Sequence, residues 1–173
     1  MTVSVVNSEI KSQLEQLHEE SYGWTLNCCT GDSSCAEDVL QTVYLKILEG
    51  KARFDGKSTF KTWLFSVIRK TAADEHRRMM VRTLWFGASE RNLELMAAPD
   101  DLDEIIEKED MQARFQRALE ELPRRQREVL QLVFYHDSSL ADAAVIMGIS
   151  IGSARTHYER GKKQLRLLLK DFQ

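Results

Sequence analysis

Apolar residues along this chain recur at three- and four-residue steps, which is the spacing of one face of an α-helix. The segments Val39–Leu48 and Phe60–Thr71 carry the clearest examples. Nowhere does the sequence alternate polar and apolar residues for long enough to indicate a strand. The pattern therefore predicts an all-α protein.

Local signals place two helices in the first half of the chain. Ser34 stands three residues before Glu37 and predicts a capping box for a helix that ends at Gly50. Gly56 and Ser58 predict a loop and a cap before the next helix. A 100° helical wheel gives that second helix one apolar face and an opposite face of basic and small residues: Thr62, Ser66, Arg69, Lys70, Ala73 and Arg77.

The second half of the chain carries the signals of a helix-turn-helix. "RFQRALEEL" predicts one helix, and Pro123 falls in the first turn of the next. Ser138 or Ser139 caps "LADAAVIM", Gly148 ends that helix, and Ser150 caps the last one. The outward face of the last helix collects hydrogen-bonding and cationic groups: Ser153, Arg155, Thr156, Glu159, Arg160, Lys163 and Arg166.

Charge is segregated along the chain although the formal net charge is only −3. Residues 57–82 carry seven Lys or Arg against two acids, and residues 153–173 carry six against two. Residues 99–110 carry seven acids against one lysine. We therefore predict a first domain over residues 1–85, an acidic linker over 86–108 and a helix-turn-helix domain over 109–173.

The last helix has the side chains with which a protein reads DNA. Forked and short polar groups read base edges in the major groove, and lysines bind phosphates. A solvated charged surface is the alternative for any single basic helix. The cap, the turn glycine and the small Ala144 together favour DNA binding.

Other chemistries find little support in the sequence. Cys28, Cys29 and Cys35 follow no standard zinc spacing and are interpreted as reduced thiols, so we expect no metal or other cofactor. The four histidines are scattered and no glycine-rich phosphate loop is present, so we expect no enzyme. No apolar run is long enough to span a membrane, and we expect a cytoplasmic protein.

Four segments in order resemble the extracytoplasmic-function (ECF) type of bacterial RNA polymerase sigma factor of the sigma-70 class. "TGDSSCAEDVLQTVYLKIL" is similar to the polymerase-binding helix of that family, and "FDGKSTFKTWLFSVIRKTAADEHRR" to its promoter-melting and −10-reading segment. "LEELPRRQREVLQLVF" and "LADAAVIMGISIGSARTHYERGKKQLRLLL" resemble its −35-binding domain. The resemblance implies promoter-specific initiation of transcription.

The resemblance also implies roles for particular residues. It implies that four residues dock on the β′ clamp of core polymerase: Glu37, Asp38, Gln41 and Tyr44. It implies that five residues bind the −10 element: Lys57, Ser58, Arg69, Arg77 and Arg78. It implies that six residues bind the −35 element: Ser153, Arg155, Thr156, Arg160, Lys162 and Lys163.

Regulation and one alternative function remain open at this point. The resemblance implies control by an anti-sigma factor or another regulatory signal. Asp100, Asp101, Asp103 and Glu104 of the linker either mimic RNA phosphates in the polymerase or form an ordinary solvated tether. The alternative function is a two-domain regulator that binds duplex DNA and senses a ligand or partner; such a protein would need a separate sigma subunit to start transcription.

Overall fold

The computed structural model describes the backbone of residues 2–86 and 106–170, with side chains described for residues 8–85 and 111–170. Every regular element in these ranges is an α-helix, which confirms the predicted all-α class. The helices are α1 (Thr2–Gln16), α2 (His18–Cys28), α3 (Ser33–Leu48), α4 (Phe60–Phe86), α5 (Ile106–Glu120), α6 (Arg124–Phe134), α7 (Leu140–Met147) and α8 (Ile151–Lys170).

Helices α2, α3 and α4 pack around one apolar core, with α1 against α2 and α3. Val39 and Val43 of α3 and Leu64 and Ile68 of α4 are buried there, as the apolar spacing predicts. Burying side chains of this size removes them from water at a gain of about 1.5–3 kcal/mol each, which is what holds these helices together.

A second group of helices packs α6 against α7 and α8, with α5 against α8. Its core includes Leu130, Leu132 and Leu165, all buried. Helix α8 crosses α6 at Gly161, where a Cβ atom would lie only 3.0 Å from Leu130 Cδ1. Glycine thus sets the close approach of these two helices.

Two of the predicted helix caps in the first half are wrong by one or two residues. Asp32, not Ser34, caps α3: its Oδ1 accepts the Cys35 N–H at 3.0 Å, which leaves Ser34 inside the first turn. Thr59, not Ser58, caps α4, because its Oγ1 accepts the Thr62 N–H at 3.1 Å. In both places the side chain of the residue just before the first turn supplies the acceptor, and for Asp32 the backbone is extended.

The helix-turn-helix signals are confirmed. Ser139 caps α7 by accepting the Asp142 N–H at 3.1 Å, and Ser150 accepts the Ser153 N–H at 3.1 Å at the start of α8. Gly148 ends α7 in the left-handed region at φ 64°. A side chain there would be strained, which is why the turn uses glycine. Pro123 is the residue before α6 rather than part of its first turn.

The two helix groups contact each other through α4, which packs along α7. The ring of His136 lies edge-on to Trp24 and Phe65, with ring centroids 5.8 and 5.1 Å away. Phe65 is fully buried although it lies off the predicted apolar stripe of α4. The face of α4 that the sequence predicts to carry basic and small residues is therefore covered in its middle by the second helix group.

Both ends of the predicted linker are helical, since α4 runs to Phe86 and α5 starts at Ile106. Its acidic residues Asp100, Asp101, Asp103 and Glu104 lie outside the described residues. Among the residues that the structure describes, no helix combines the length and apolar character that a membrane span requires.

Candidate functional site

A surface groove of about 650 Å³ runs along α3 and α2. All four residues predicted to dock the polymerase line it: Glu37, Asp38, Gln41 and Tyr44. The structure thus brings this set together on one face, because the residues are three or four positions apart on a single helix. The Tyr44 hydroxyl lies 3.1 Å from His18 Nδ1 of α2, which fixes the wall of the groove.

The groove is amphipathic. Glu37, Asp38 and Gln41 are exposed, and the exposed apolar side chains of Leu45 and Leu48 continue the same face toward the end of α3. Exposed leucines beside carboxylates suit a partner helix that presents both apolar and basic residues. Nothing in the local sequence singles out these two leucines, because apolar residues at such positions of a helix are more often part of the core.

The residues predicted for −10 binding fall into three places along α4 and the loop before it. Lys57 and Ser58 lie in that loop, where Lys57 Nζ is 2.9 Å from Asp55 Oδ2. Phe54 lies beside them with its ring centroid 5.5 Å from that of Trp63. Arg77 and Arg78 lie exposed in the second half of α4, in ion pairs of 3.1 and 3.6 Å with Asp74 and Glu75.

Arg69 occupies the middle of α4 and is not available to an outside partner in this arrangement. Its Nη2 donates to Glu128 Oε2 of α6 at 3.1 Å, and its side chain is only 19% exposed. Arg124 Nε lies 3.3 Å from the other oxygen of the same carboxylate. A predicted DNA contact is therefore held in a partly buried ion pair that joins the two helix groups.

Further polar contacts join the same two groups. Lys61 Nζ donates to the His136 carbonyl oxygen at 2.7 Å and also pairs with Glu20. Thr62 Oγ1 donates to Asp142 Oδ1 at 3.0 Å, and Gln131 Nε2 donates to Asn27 Oδ1 at 3.1 Å. The contact is therefore polar as well as apolar along its length.

His136 is the least satisfied polar group of this contact. It is 6% exposed, and neither ring nitrogen has a hydrogen-bond partner within the part of the chain that the structure describes. Burial first, and the nearby Lys61 ammonium second, together lower the pKa of His136 to about 4. The imidazole is therefore neutral at physiological pH in the packed arrangement.

The outward face of α8 is open to solvent. Ser153, Arg155, Thr156, Arg160 and Lys163 are all exposed, as the helical wheel predicts. Lys162 differs from them, because its Nζ lies 4.3 Å from the Tyr158 ring centroid and 3.0 Å from Glu159 Oε1. Five of the six predicted −35 residues thus share one free surface, and Lys162 lies at its flank with its side chain 26% exposed.

Sequence reasoning missed the groups that close α4 against the second helix group. Glu128 had a visible signal, since it is a charged residue directly before "VLQLVF" at a position that the helical spacing buries. His136 had none, because nothing in the local sequence distinguishes a buried histidine from an exposed one at the end of a helix.

Comparisons with known proteins match both helix groups. The family model for sigma-70 region 2 matches residues 15–80, and that for sigma-70 region 4 matches residues 112–165. The chain is 32% identical over 142 residues to the ECF RNA polymerase sigma factor SigX of Bacillus subtilis, covering 78% of this chain and 71% of SigX. It is 27% identical over 142 residues to the RNA polymerase sigma factor CarQ of Myxococcus xanthus, covering 82% of this chain and 79% of CarQ.

Solved structures share the fold. The sigma factor RpoE of Bartonella quintana, solved in complex with the anti-sigma factor NepR, is similar with a TM-score of 0.69 at 23% identity, covering 94% of this chain and 97% of that one. CnrH, solved in complex with the cytosolic domain of CnrY, is similar with a TM-score of 0.59 at 18% identity, covering 92% and 87%.

Proposed function

The chain belongs to the ECF group of sigma-70 RNA polymerase sigma factors, which direct promoter-specific initiation of transcription, and from that premise we propose how its surfaces divide this work. The groove on α3 docks core polymerase, α4 and its preceding loop bind the −10 element, and α8 binds the −35 element. The domain limits proposed from the sequence, residues 1–85 and 109–173, separate the first two surfaces from the third. Family membership favours this assignment over a regulator that depends on another sigma subunit.

The observation that carries the proposal is the free polar face of α8. Arg155, Thr156 and Arg160 stand exposed on the second helix of a helix-turn-helix, with the turn fixed by Gly148 and the start of α8 fixed by Ser150. Side chains near the start of such a helix reach base edges in the major groove. Lys163 is positioned for a phosphate, and Lys162 is a second phosphate ligand once it leaves Glu159.

The groove on α3 supports the polymerase-docking part of the proposal. Asp38 and Glu37 offer carboxylates to basic residues of a partner, and Gln41 and Tyr44 offer hydrogen bonds. Leu45 and Leu48 supply exposed apolar surface that a partner can bury, as the centre of a protein interface requires. We assign the partner as the clamp of the polymerase β′ subunit, as the family resemblance implies.

The covered middle of α4 supports a two-state mechanism. With Arg69 bound to Glu128, the arrangement described here does not offer Arg69 to a DNA strand, whereas Lys57, Arg77 and Arg78 remain exposed. We assign this arrangement as the resting state and its opening as part of polymerase binding. Core polymerase shifts the population because it binds the open form better.

Control by a second protein fits the same scheme. RpoE and CnrH, which share this fold, were each solved with a protein partner, and the partner of RpoE is an anti-sigma factor. We propose an anti-sigma factor for this chain too, acting by favouring a form in which the promoter-binding surfaces are covered. The protein acts on DNA in the cytoplasm, as a transcription initiation factor rather than a catalyst.

Run-off transcription with core polymerase and promoters randomised at the −35 element tests the assignment of α8. Arg155→Ala and Arg160→Ala are each expected to relax selection at particular base pairs at a cost of about 1–3 kcal/mol. Lys163→Ala is the matched control for a phosphate contact and is expected to weaken all promoters alike. Uniform weakening by the arginine variants would remove them from base readout.

A further inference from the structure

Two cysteines meet at the turn that joins α2 to α3. Cys29 follows the last residue of α2, and Cys35 is the third residue of α3. Their sulfur atoms lie 2.9 Å apart, with the Cys35 thiol donating to Cys29 Sγ, and both thiols are free. A disulfide has sulfur atoms about 2.05 Å apart, so bond formation needs an approach of only about 0.9 Å.

The turn holds the two sulfur atoms together through its backbone. Thr30 and Gly31 adopt positive φ values of 55° and 86°, which reverse the chain within three residues. The Gly31 N–H donates to the Leu26 carbonyl at 2.9 Å, and the Asp32 N–H donates to the Cys29 carbonyl at 3.2 Å. The backbone of the turn thus keeps the two sulfur atoms close together before any bond forms.

We propose that Cys29 and Cys35 form a reversible, peroxide-sensitive dithiol. Cys35 is the more exposed of the two, so its thiol is the one that peroxide in solution reaches first. Cys29 is buried, and burial first, together with the hydrogen bond that its thiol shares with Cys35, raises the pKa of that thiol far above the ordinary range. Cys35 is therefore the attacking thiol and Cys29 the resolving one.

The reaction proceeds in two balanced steps. The Cys35 thiolate attacks one oxygen of hydrogen peroxide, the O–O bond breaks, and the products are Cys35 sulfenic acid and hydroxide, which takes up a proton to give water. Cys29 sulfur then attacks Cys35 sulfur, the S–O bond breaks, and the leaving hydroxide takes the Cys29 proton to give a second water. Two thiols are oxidised, one peroxide is reduced, and a cellular dithiol reductant reverses the bond.

Cys28 is the internal control for this chemistry. It precedes Cys29 directly, so on a helix it points about 100° away. Burial first, and the Glu128 carboxylate second, raise the pKa of its thiol. Cys28 therefore lies toward the second helix group and away from Cys35, and we expect it to stay reduced.

The bond would tie the end of α2 to the first turn of α3, the helix that carries Glu37 and Asp38. This consequence for polymerase docking rests on the proposed function, whereas the thiol chemistry does not. Because the bond forms within the turn as it stands, we expect the oxidised chain to bind core polymerase at least as well as the reduced chain.

The experiment uses the reduced full chain, treated with hydrogen peroxide, quenched with catalase, denatured, alkylated and measured by intact mass. We expect the wild type to lose two hydrogens and to keep one alkylatable thiol, which peptide mapping places at Cys28. Cys28→Ser should form the same bond and keep none. Cys35→Ser, which lacks the attacking thiol, should keep two, whereas Cys29→Ser should keep one and carry Cys35 as the unresolved sulfenic acid. Dithiothreitol should restore all thiols.

Several outcomes would overturn the proposal. They are three alkylatable thiols after oxidation, sulfinic acid at Cys35 without a disulfide, or a bond that includes Cys28.

The thermal midpoint gives an independent readout, since closing a loop this short should raise it by roughly 5 °C in the oxidised wild type and not in Cys35→Ser. A midpoint that fell on oxidation would show that the turn is not arranged for the bond. If neither redox form bound core polymerase, the proposed function would fail while the mass result stood.

Discussion

The carboxylate of Glu128 is the group whose removal should most strongly separate the two helix groups. It accepts from Arg69 Nη2 at 3.1 Å, and its side chain is only 9% exposed. Glu128→Ala leaves Arg69 with no carboxylate and with the Arg124 cation nearby, and the Arg69 Nε already lacks a partner among the described residues. In the packed arrangement the Arg69 guanidinium then stays partly buried without a carboxylate to pair with.

The size of the effect follows from burial. Removing one partner of a buried ion pair costs about 3–5 kcal/mol, because the remaining charge stays desolvated. Arg69 regains water when the helix groups separate, so this cost falls mainly on the packed arrangement. Arg124 is 63% exposed and adds little. A loss of about 3 kcal/mol corresponds to a shift of about 150-fold toward the separated form.

Small-angle X-ray scattering measures the shift directly. A compact chain of this length has a radius of gyration of about 16 Å, and we expect the Glu128→Ala chain to be several ångströms larger. Glu128→Gln keeps a hydrogen-bond acceptor, so its radius of gyration should lie between those of the wild type and Glu128→Ala. Glu121→Ala removes an exposed carboxylate just before α6 and should scatter like the wild type. Circular dichroism reports whether the helices persist. A folded Glu128→Ala chain of unchanged radius would refute the reasoning.

Three further perturbations test the packing, the pH response and the capping. Gly161→Ala should destabilise the protein by about 1 kcal/mol in chemical denaturation, because overpacking outweighs the gain in helix propensity; Gly152→Ala, where nothing lies closer than 3.9 Å, should be neutral or stabilising. The packed arrangement should keep its full stability above about pH 6.5 and lose about 2 kcal/mol by pH 5, because in this range His136 binds a proton when it is exposed but not when it is buried. Small-angle scattering between pH 6.5 and pH 5 should show the two helix groups separating. His136→Gln should remove most of this change. Asp32→Ala should cost about 1 kcal/mol by loss of the α3 cap, whereas Ser34→Ala should cost less than about 0.5 kcal/mol in the same denaturation assay.

The sequence predicted α3 to α8 because their signals are local, whereas α1 and α2 were not among the predicted helices. The spacing of Val39, Val43, Leu64 and Ile68 depends only on which side of one helix faces the core. Gly148 acts equally locally, through the backbone conformation that it alone adopts without strain. The caps predicted for α3 and α4 were wrong because several neighbouring side chains can accept a hydrogen bond from a helix N–H group. Only the path of the backbone selects Asp32 over Ser34 and Thr59 over Ser58.

The contact between the helix groups was beyond local reasoning. From the sequence alone, Arg69 on α4 is predicted to be a free cation, because its partner Glu128 lies 59 residues later and only the fold brings the two together. The same holds for the buried ring of His136, whose aromatic neighbours come from α2 and α4. The residues predicted on α3 and α8 gather on single faces because each set lies on one helix. Their assignment to polymerase and DNA stays a prediction.

Association with core RNA polymerase tests the central claim most directly. Mixed at low ionic strength and separated by gel filtration, the chain is expected to co-elute with core polymerase as a one-to-one complex. Asp38→Lys reverses a charge in the groove on α3 and should weaken that complex at least 10-fold, a loss of about 1.4 kcal/mol. A wild-type chain that elutes entirely apart from core polymerase would contradict the account.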